Sequence, residues 1–187
     1  MLYPKRINAK KGRKVFTYLL IASVILAIIL FLINRMTRPD IHWAAIAIAS
    51  LVYIWVVVIY ALCHHRNIAS HVLLQVLAIS ALMVYMDYLL GFKKWSLQMA
   101  IPIVIIAANA IMAILTITSY KKYIRYVVYE LILAIFSLTP ILFISSHLVV
   151  NKTMGIIAVG ISIANLILTC ALCWKEMMEA LKRTFHL

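Results

Sequence analysis

Acidic side chains are scarce in this chain of 187 residues: five Asp and Glu stand against 18 Lys and Arg, and charged residues of both signs make up only 12%. A soluble domain of this size could not cover itself with so little charge, nor hide the 66% of residues that are hydrophobic. A water-soluble globular fold is thereby excluded, and the bilayer is the natural solvent. Cysteine is equally sparse. The three present cannot all pair with one another, and Cys63, Cys170 and Cys173 read as reduced thiols, not as a disulfide scaffold. No nucleophile with a base and an orienting group is visible, so no enzymatic activity is expected. The formal charge of +13 would suit nucleic acid if the basic residues shared one folded face. They fall instead in the gaps between apolar runs, the pattern of topology signals and anionic lipid headgroup contacts, and no nucleic-acid partner is expected.

What fills the chain is a series of long apolar runs. A basic arm, residues 1–14, carries Lys5, Arg6, Lys10, Lys11, Arg13 and Lys14. The run Val15 to Ile33 that follows is too long for a signal peptide and lacks a small-residue cleavage site, so it reads as a retained transmembrane helix. Pro39 and Asp40 mark a turn, with Asp40 the expected helix cap. Further runs cover Ile41 to Leu62, Ser70 to Leu90, Ser96 to Thr118, Ile124 to Leu148 and Met154 to Trp174. Pro102 predicts a mild kink in the fourth and Pro140 an interruption in the fifth. Ala45 with Ala49, and Gly160 with Ala164, have the small-xxx-small spacing that lets helices approach closely. Residues 175–187 read as a short amphipathic helix, with Met177, Met178, Leu181 and Phe185 toward lipid.

The expected fold is therefore all-α, a polytopic six-transmembrane-helix bundle over residues 15–174 with no room for a soluble domain. The arm, Arg66, the link through Lys121, Lys122 and Arg125, and the tail lie on one side of that threading. Arg35, Arg38, Lys93, Lys94 and Lys152 lie on the other. The basic excess predicts that both termini are cytoplasmic.

Polar residues inside apolar runs are the candidate functional groups, because each is costly there. At a rise of about 1.5 Å per residue, Glu130 and Gln75 sit roughly 9 and 8 Å in from the cytoplasmic side, and Asn109 and Asn165 roughly 10 to 13 Å from it. Four helices thus bring polar groups to the inner half of the membrane. One reading is interhelical glue, with Glu130 protonated or paired with Arg125. The sharper one is a proton- or ligand-binding site around Glu130, Asn109, Asn165 and Gln75. Asp87 belongs elsewhere. It lies in an outer interfacial hairpin with Lys93, Lys94 and Trp95, expected to pair with one of the lysines or to line an outer vestibule. Cys63, His64, His65 and His71 with Cys170 and Cys173 form a weak soft-metal candidate at the cytoplasmic ends of three helices, without the loop spacing of a zinc motif. No metal or other cofactor is expected.

The order Asp87, Gly91, Trp95-Ser96-Leu97 and Ile101-Pro102-Ile103 resembles the signature of a bacterial family catalogued as domain of unknown function 6320. The likeness extends through Tyr126, Glu130 and Pro140 to Leu181-Lys182-Arg183 and His186-Leu187. Members often begin with a cysteine-rich zinc ribbon that ends shortly before a Tyr-Pro step. Here Tyr3-Pro4 stands at the start, and the ribbon is expected to be absent. Where members have aromatics on both sides of the Asp this chain has Met86 and Tyr88, and Gln98 stands where a second acid is expected. The resemblance implies the fold and a bacterial cytoplasmic membrane location, not an activity. The leading functional expectation is a non-enzymatic module that binds or moves a small solute, ion or lipid around Glu130. The alternatives are an assembly or sensor module acting through helix contacts with itself or a partner membrane protein, and, third, a metal- or thiol-dependent membrane enzyme.

Overall fold

The computed structural model describes residues 9–38, 40–63, 67–118 and 127–185, with side chains over 14–38, 40–63, 67–118 and 128–172. The helices are α1 (Ala9–Thr37), α2 (Trp43–Cys63), α3 (Ile68–Leu89), α4 (Ile101–Thr118), α5 (Val127–Phe136), α6 (Thr139–Ser145) and α7 (Thr153–Phe185). No strand occurs among the described residues. Among the described residues six segments are long and apolar enough to cross a membrane: Lys14–Thr37, Trp43–Cys63, Ile68–Leu89, Ser96–Thr118, Val128–Ser145 and Thr153–Leu172. The side chains of the basic arm before Lys14, Pro39, Arg66 and the link with Lys121, Lys122 and Arg125 lie outside the described residues.

The chain divides into two compact units, Met1–Val52 and Tyr53–Leu187. In the first, Asn34 is the one buried side chain among the described residues of α1. Its Nδ2 donates to the Arg38 carbonyl at 2.9 Å, and its Oδ1 accepts from the Ala44 amide at 2.9 Å. The opening amides of a helix have no partner within it. Asn34 supplies one across the turn, in the role expected of Asp40, which is exposed.

In the second unit α4 is the central rod. Its buried residues Ile101, Ile105, Ala108, Asn109, Met112 and Thr116 recur at three- and four-residue spacing and so form one face. That face meets two apolar clusters. Ala108 and Met112 pack with Ala69, Val72, Val76 and Leu133, while Ile101 and Ile105 pack with Leu97, Val149 and Ala158. The irregularity near Pro102 is a π-helical turn, Ser96–Ala100, in which the Ile101 amide reaches back to the Ser96 carbonyl. Widening the helix there, ahead of the ring, accommodates a residue that cannot donate to Gln98.

Pro140 has a larger effect. It breaks the fifth span at Ser137–Leu138, and α6 restarts with the proline in its first turn. The break is packed against α7 at Gly155. A Cβ there would stand 3.3 Å from both Pro140 Cβ and Ile144 Cδ1. Gly155 is thus the close-approach residue of α7, whereas a Cβ on Gly160 would meet nothing within 4 Å. The α7 helix runs unbroken to Phe185, so the segment from Lys175 continues the last span and is not a separate helix. Its side chains lie outside the described residues.

A Gly155→Val substitution would drive a branched side chain into Pro140 and Ile144. We expect it to lower stability by about 1–3 kcal/mol, read as a drop in the melting midpoint of detergent-solubilised protein, with Gly160→Val as the near-neutral comparison.

Candidate functional site

Three helices contribute buried polar groups to one seam. On α4, Asn109 is held by its own helix, Nδ2 donating to the Ile105 carbonyl at 2.9 Å, and it also donates to Ser137 Oγ at 3.3 Å. Ser137 in turn donates to the Leu133 carbonyl at 2.8 Å. From α7, Asn165 Nδ2 donates to Asn109 Oδ1 at 3.2 Å. One turn further along α7, Thr169 Oγ1 donates to Glu130 Oε1 in a short hydrogen bond from α7 to α5. Glu130, Leu133 and Ser137 lie on one face of α5 and its end, and Ser162, Asn165 and Thr169 on one face of α7. All six are buried. The seam therefore crosses from α5 through α4 to α7.

The structure brings Asn109 and Asn165 into direct contact and Glu130 alongside them. Gln75 is not part of the group. It is half-buried on α3, where its Oε1 accepts a short hydrogen bond from Tyr53 Oη on α2. Similar depth places residues in one layer but says nothing of which way each helix face points, and Gln75 faces α2. Arg125 lies outside the described residues. Ser137 and Thr169 are the members that sequence reasoning missed. One acceptor in the seam stays open: Asn165 Oδ1 is buried and has no donor among the described residues. A buried amide oxygen left without a partner is uncommon, because its desolvation is uncompensated.

Asp87 is wholly buried at the α3–α4 hairpin. Its partner is Ser96, not Lys93 or Lys94: Oδ2 accepts from the Ser96 amide at 3.2 Å and from Ser96 Oγ at 2.7 Å. A carboxylate at the start of a helix meets unpaired amides and the positive end of the helix dipole. Its main chain closes the preceding helix as well. Phe92 N bonds the Asp87 carbonyl at 2.7 Å and Gly91 N bonds that of Tyr88 at 3.2 Å. With Gly91 at φ 90° this is a Schellman ending. Phe92 and Lys94 also have positive φ, 50° and 63°. Lys93 is exposed, while Lys94 and Trp95 are half-buried. Asp87 Oδ1 has no hydrogen-bond partner among the described residues.

The thiol and imidazole candidates do not assemble. Cys63 is exposed and Cys170 half-buried. His71 packs edge-on against Tyr60 with ring centroids 5.1 Å apart. His64, His65 and the side chain of Cys173 lie outside the described residues. Among the described residues no three His, Cys, Asp or Glu gather as a metal site requires.

The family model described as a family of unknown function, DUF6320, matches residues 3–187. The chain belongs to this family. No curated protein and no solved structure matches it. The polar seam and the Asp87–Ser96 hairpin are thus features of a DUF6320 chain, both inside the matched span.

For this DUF6320 protein the seam predicts a measurable coupling. Asn165→Ala and Asn109→Ala should each destabilise it, and a double-mutant cycle should return about 0.6 kcal/mol of interaction, the average for interhelical hydrogen bonds in lipid, and no more than about 1.7 kcal/mol. Asp87→Ala should cost about 1–2 kcal/mol as a lost helix cap. Unfolding of the purified protein in mixed micelles reads all three.

Proposed function

We propose that this is an integral membrane protein, non-enzymatic, that binds or moves a small cation or hydrogen-bond-donating solute at the Glu130 seam. The observation that carries the reading is the open Asn165 Oδ1, one helical turn from the Thr169 hydroxyl that holds Glu130. A carboxylate and an unsatisfied amide oxygen in apolar surroundings form an all-oxygen acceptor set. That set suits a proton, a hard cation or an N–H or O–H donor, and it is poorly suited to an anion or a soft metal. The irregular backbone at Ser137–Leu138 beside the seam also matches the use of broken helices around solute sites in membranes. We place the protein in a bacterial cytoplasmic membrane with both termini inside, a reading supported by the basic residues of the arm, Arg66, the link through Lys121, Lys122 and Arg125, and the tail.

Glu130→Gln keeps an acceptor for Thr169 and removes the charge. In proteoliposomes carrying a pH-sensitive dye and challenged in turn with sodium, potassium and ammonium gradients, the native protein should give a flux. Glu130→Gln should abolish it and Asn165→Ala should reduce it at least tenfold. Native protein that shows neither flux nor a cation-dependent rise in melting midpoint would overturn the proposal.

A second reading, assembly with itself or a partner membrane protein, is favoured by the open Gly160 and exposed Ala164 on α7. Cross-linking of a cysteine placed at Ala164 into a specific dimer or hetero-complex in native membranes would support it.

A further inference from the structure

The turn between α1 and α2 holds a cavity of about 240 Å³, lined by Phe31, Asn34 and Arg35 of α1 and by His42, Ala44 and Ala45 at the start of α2. All six lie in the first unit. Phe31, Asn34 and Arg35 are three and four residues apart and so share one face of α1. Asn34 builds the inner wall. Buried, and bonded to both the Arg38 carbonyl and the Ala44 amide, it fixes the end of one helix against the start of the next. The rim is different. Arg35 and His42 are exposed, and neither side chain has a hydrogen-bond or ion-pair partner among the described residues. Among those residues no acidic side chain lines the cavity, and Asp40, in the same turn, is exposed and not part of the lining.

Depth gives the cavity a chemical gradient. The first span, Lys14–Thr37, has 24 residues and a length of about 36 Å, against about 30 Å of hydrocarbon and about 40–45 Å with the head groups. Centred in the bilayer, it sets Arg35 about 15 Å from the midplane and Phe31 about 9 Å from it. The cationic rim therefore stands at the edge of the hydrocarbon, and the Phe31 wall among acyl chains.

We infer that this cavity holds the phosphodiester of an anionic phospholipid, with Arg35 and His42 donating to its oxygens and Phe31 against the upper part of an acyl chain. A guanidinium presents a fork of N–H donors that matches two phosphate oxygens, and an imidazole has an N–H donor in either charge state. An ammonium head group finds no carboxylate on the lining, so the site discriminates against zwitterionic phosphatidylethanolamine. A water-soluble phosphate lacks the chain that the Phe31 wall takes. Basic residues spread along a membrane surface attract anionic lipids loosely. Here Asn34 fixes the two helices that carry the donors, and that spacing turns attraction into a site. It shares no residue with the Glu130 seam and does not depend on it.

Native mass spectrometry of the full-length protein released from detergent tests the inference. The protein is first equilibrated with dioleoyl phosphatidylglycerol, with the phosphatidylethanolamine of the same chains, or with dioleoylglycerol, which has no phosphate. The native protein should retain one phosphatidylglycerol per chain, at an occupancy about fivefold or more above either comparison. Arg35→Gln, at an exposed position without a protein partner, should lower its affinity about tenfold or more, as loss of a charge-assisted hydrogen bond requires. Adding His42→Gln should bring retention down to that of dioleoylglycerol. Arg38→Gln removes the same charge from the same turn without touching the lining, and should change the affinity by less than about twofold. Thermal unfolding in detergent gives a second readout: phosphatidylglycerol should raise the melting midpoint of the native protein and not that of Arg35→Gln. Equal retention of the three lipids, native affinity in Arg35→Gln, an equal loss in Arg38→Gln, or displacement of the lipid by sn-glycerol 3-phosphate at the same concentration would each overturn the assignment.

Discussion

Between apolar helices in an apolar medium, burial of greasy surface does not by itself choose partners, because lipid tails are as good a neighbour as leucine. The hydrogen bond from Asn165 to Asn109 resolves that ambiguity for the second unit. It fixes the rotation of α7 against α4, and the buried face of α4 then sets where α3 and α5 can pack. Dispersion contacts such as those around Met112 and Ile105 add the bulk of the cohesion, each weak and many together. Ser137 extends the same linkage to the end of α5, exactly where Pro140 has removed the ordinary helical continuation. The break and the polar seam thus stand at neighbouring positions for related reasons: a helix end in hydrocarbon needs side chains to complete it.

The turns obey the same constraint. At the end of α3, Gly91 carries the left-handed residue of the Schellman ending. At the end of α6 the position falls to His147, φ 55°, with Leu148 N bonding the Phe143 carbonyl and His147 N that of Ile144. Glycine takes this conformation freely and histidine does not. Asp87 and Asn34 do the complementary work at helix starts, each a polar side chain buried because it serves backbone amides. Their burial tells against reading either as a surface charge or a surface amide.

Much of this architecture could be read from residues alone because its signals are long and local. Six runs of about 20 apolar residues need no tertiary knowledge, and Pro140 announces a break wherever the helix lies. Asn109 and Asn165 could be placed at one depth by counting rise. Orientation about the helix axis cannot be counted, so depth alone groups Gln75 with the two asparagines although it bonds Tyr53 on α2. Ser137 and Thr169 are illegible for another reason: a hydroxyl in an apolar helix ordinarily bonds its own backbone, as Ser137 does, and only three-dimensional packing shows that Asn109 also reaches Ser137 and that Thr169 reaches Glu130. For Asp87 the sequence offers the nearby lysines or an outer vestibule. The structure pairs it instead with the Ser96 amide and hydroxyl, donors at a helix start that no charge pattern marks.

The unbroken course of α7 has a mechanical consequence. Its 33 residues extend about 50 Å, against about 30 Å for a hydrocarbon core. No joint separates the part packed on Gly155 and Asn165 from the part beyond Leu172. A small tilt of the helix about its contact with α4 is therefore delivered, magnified, at the far tip, as an oar's blade sweeps further than its grip.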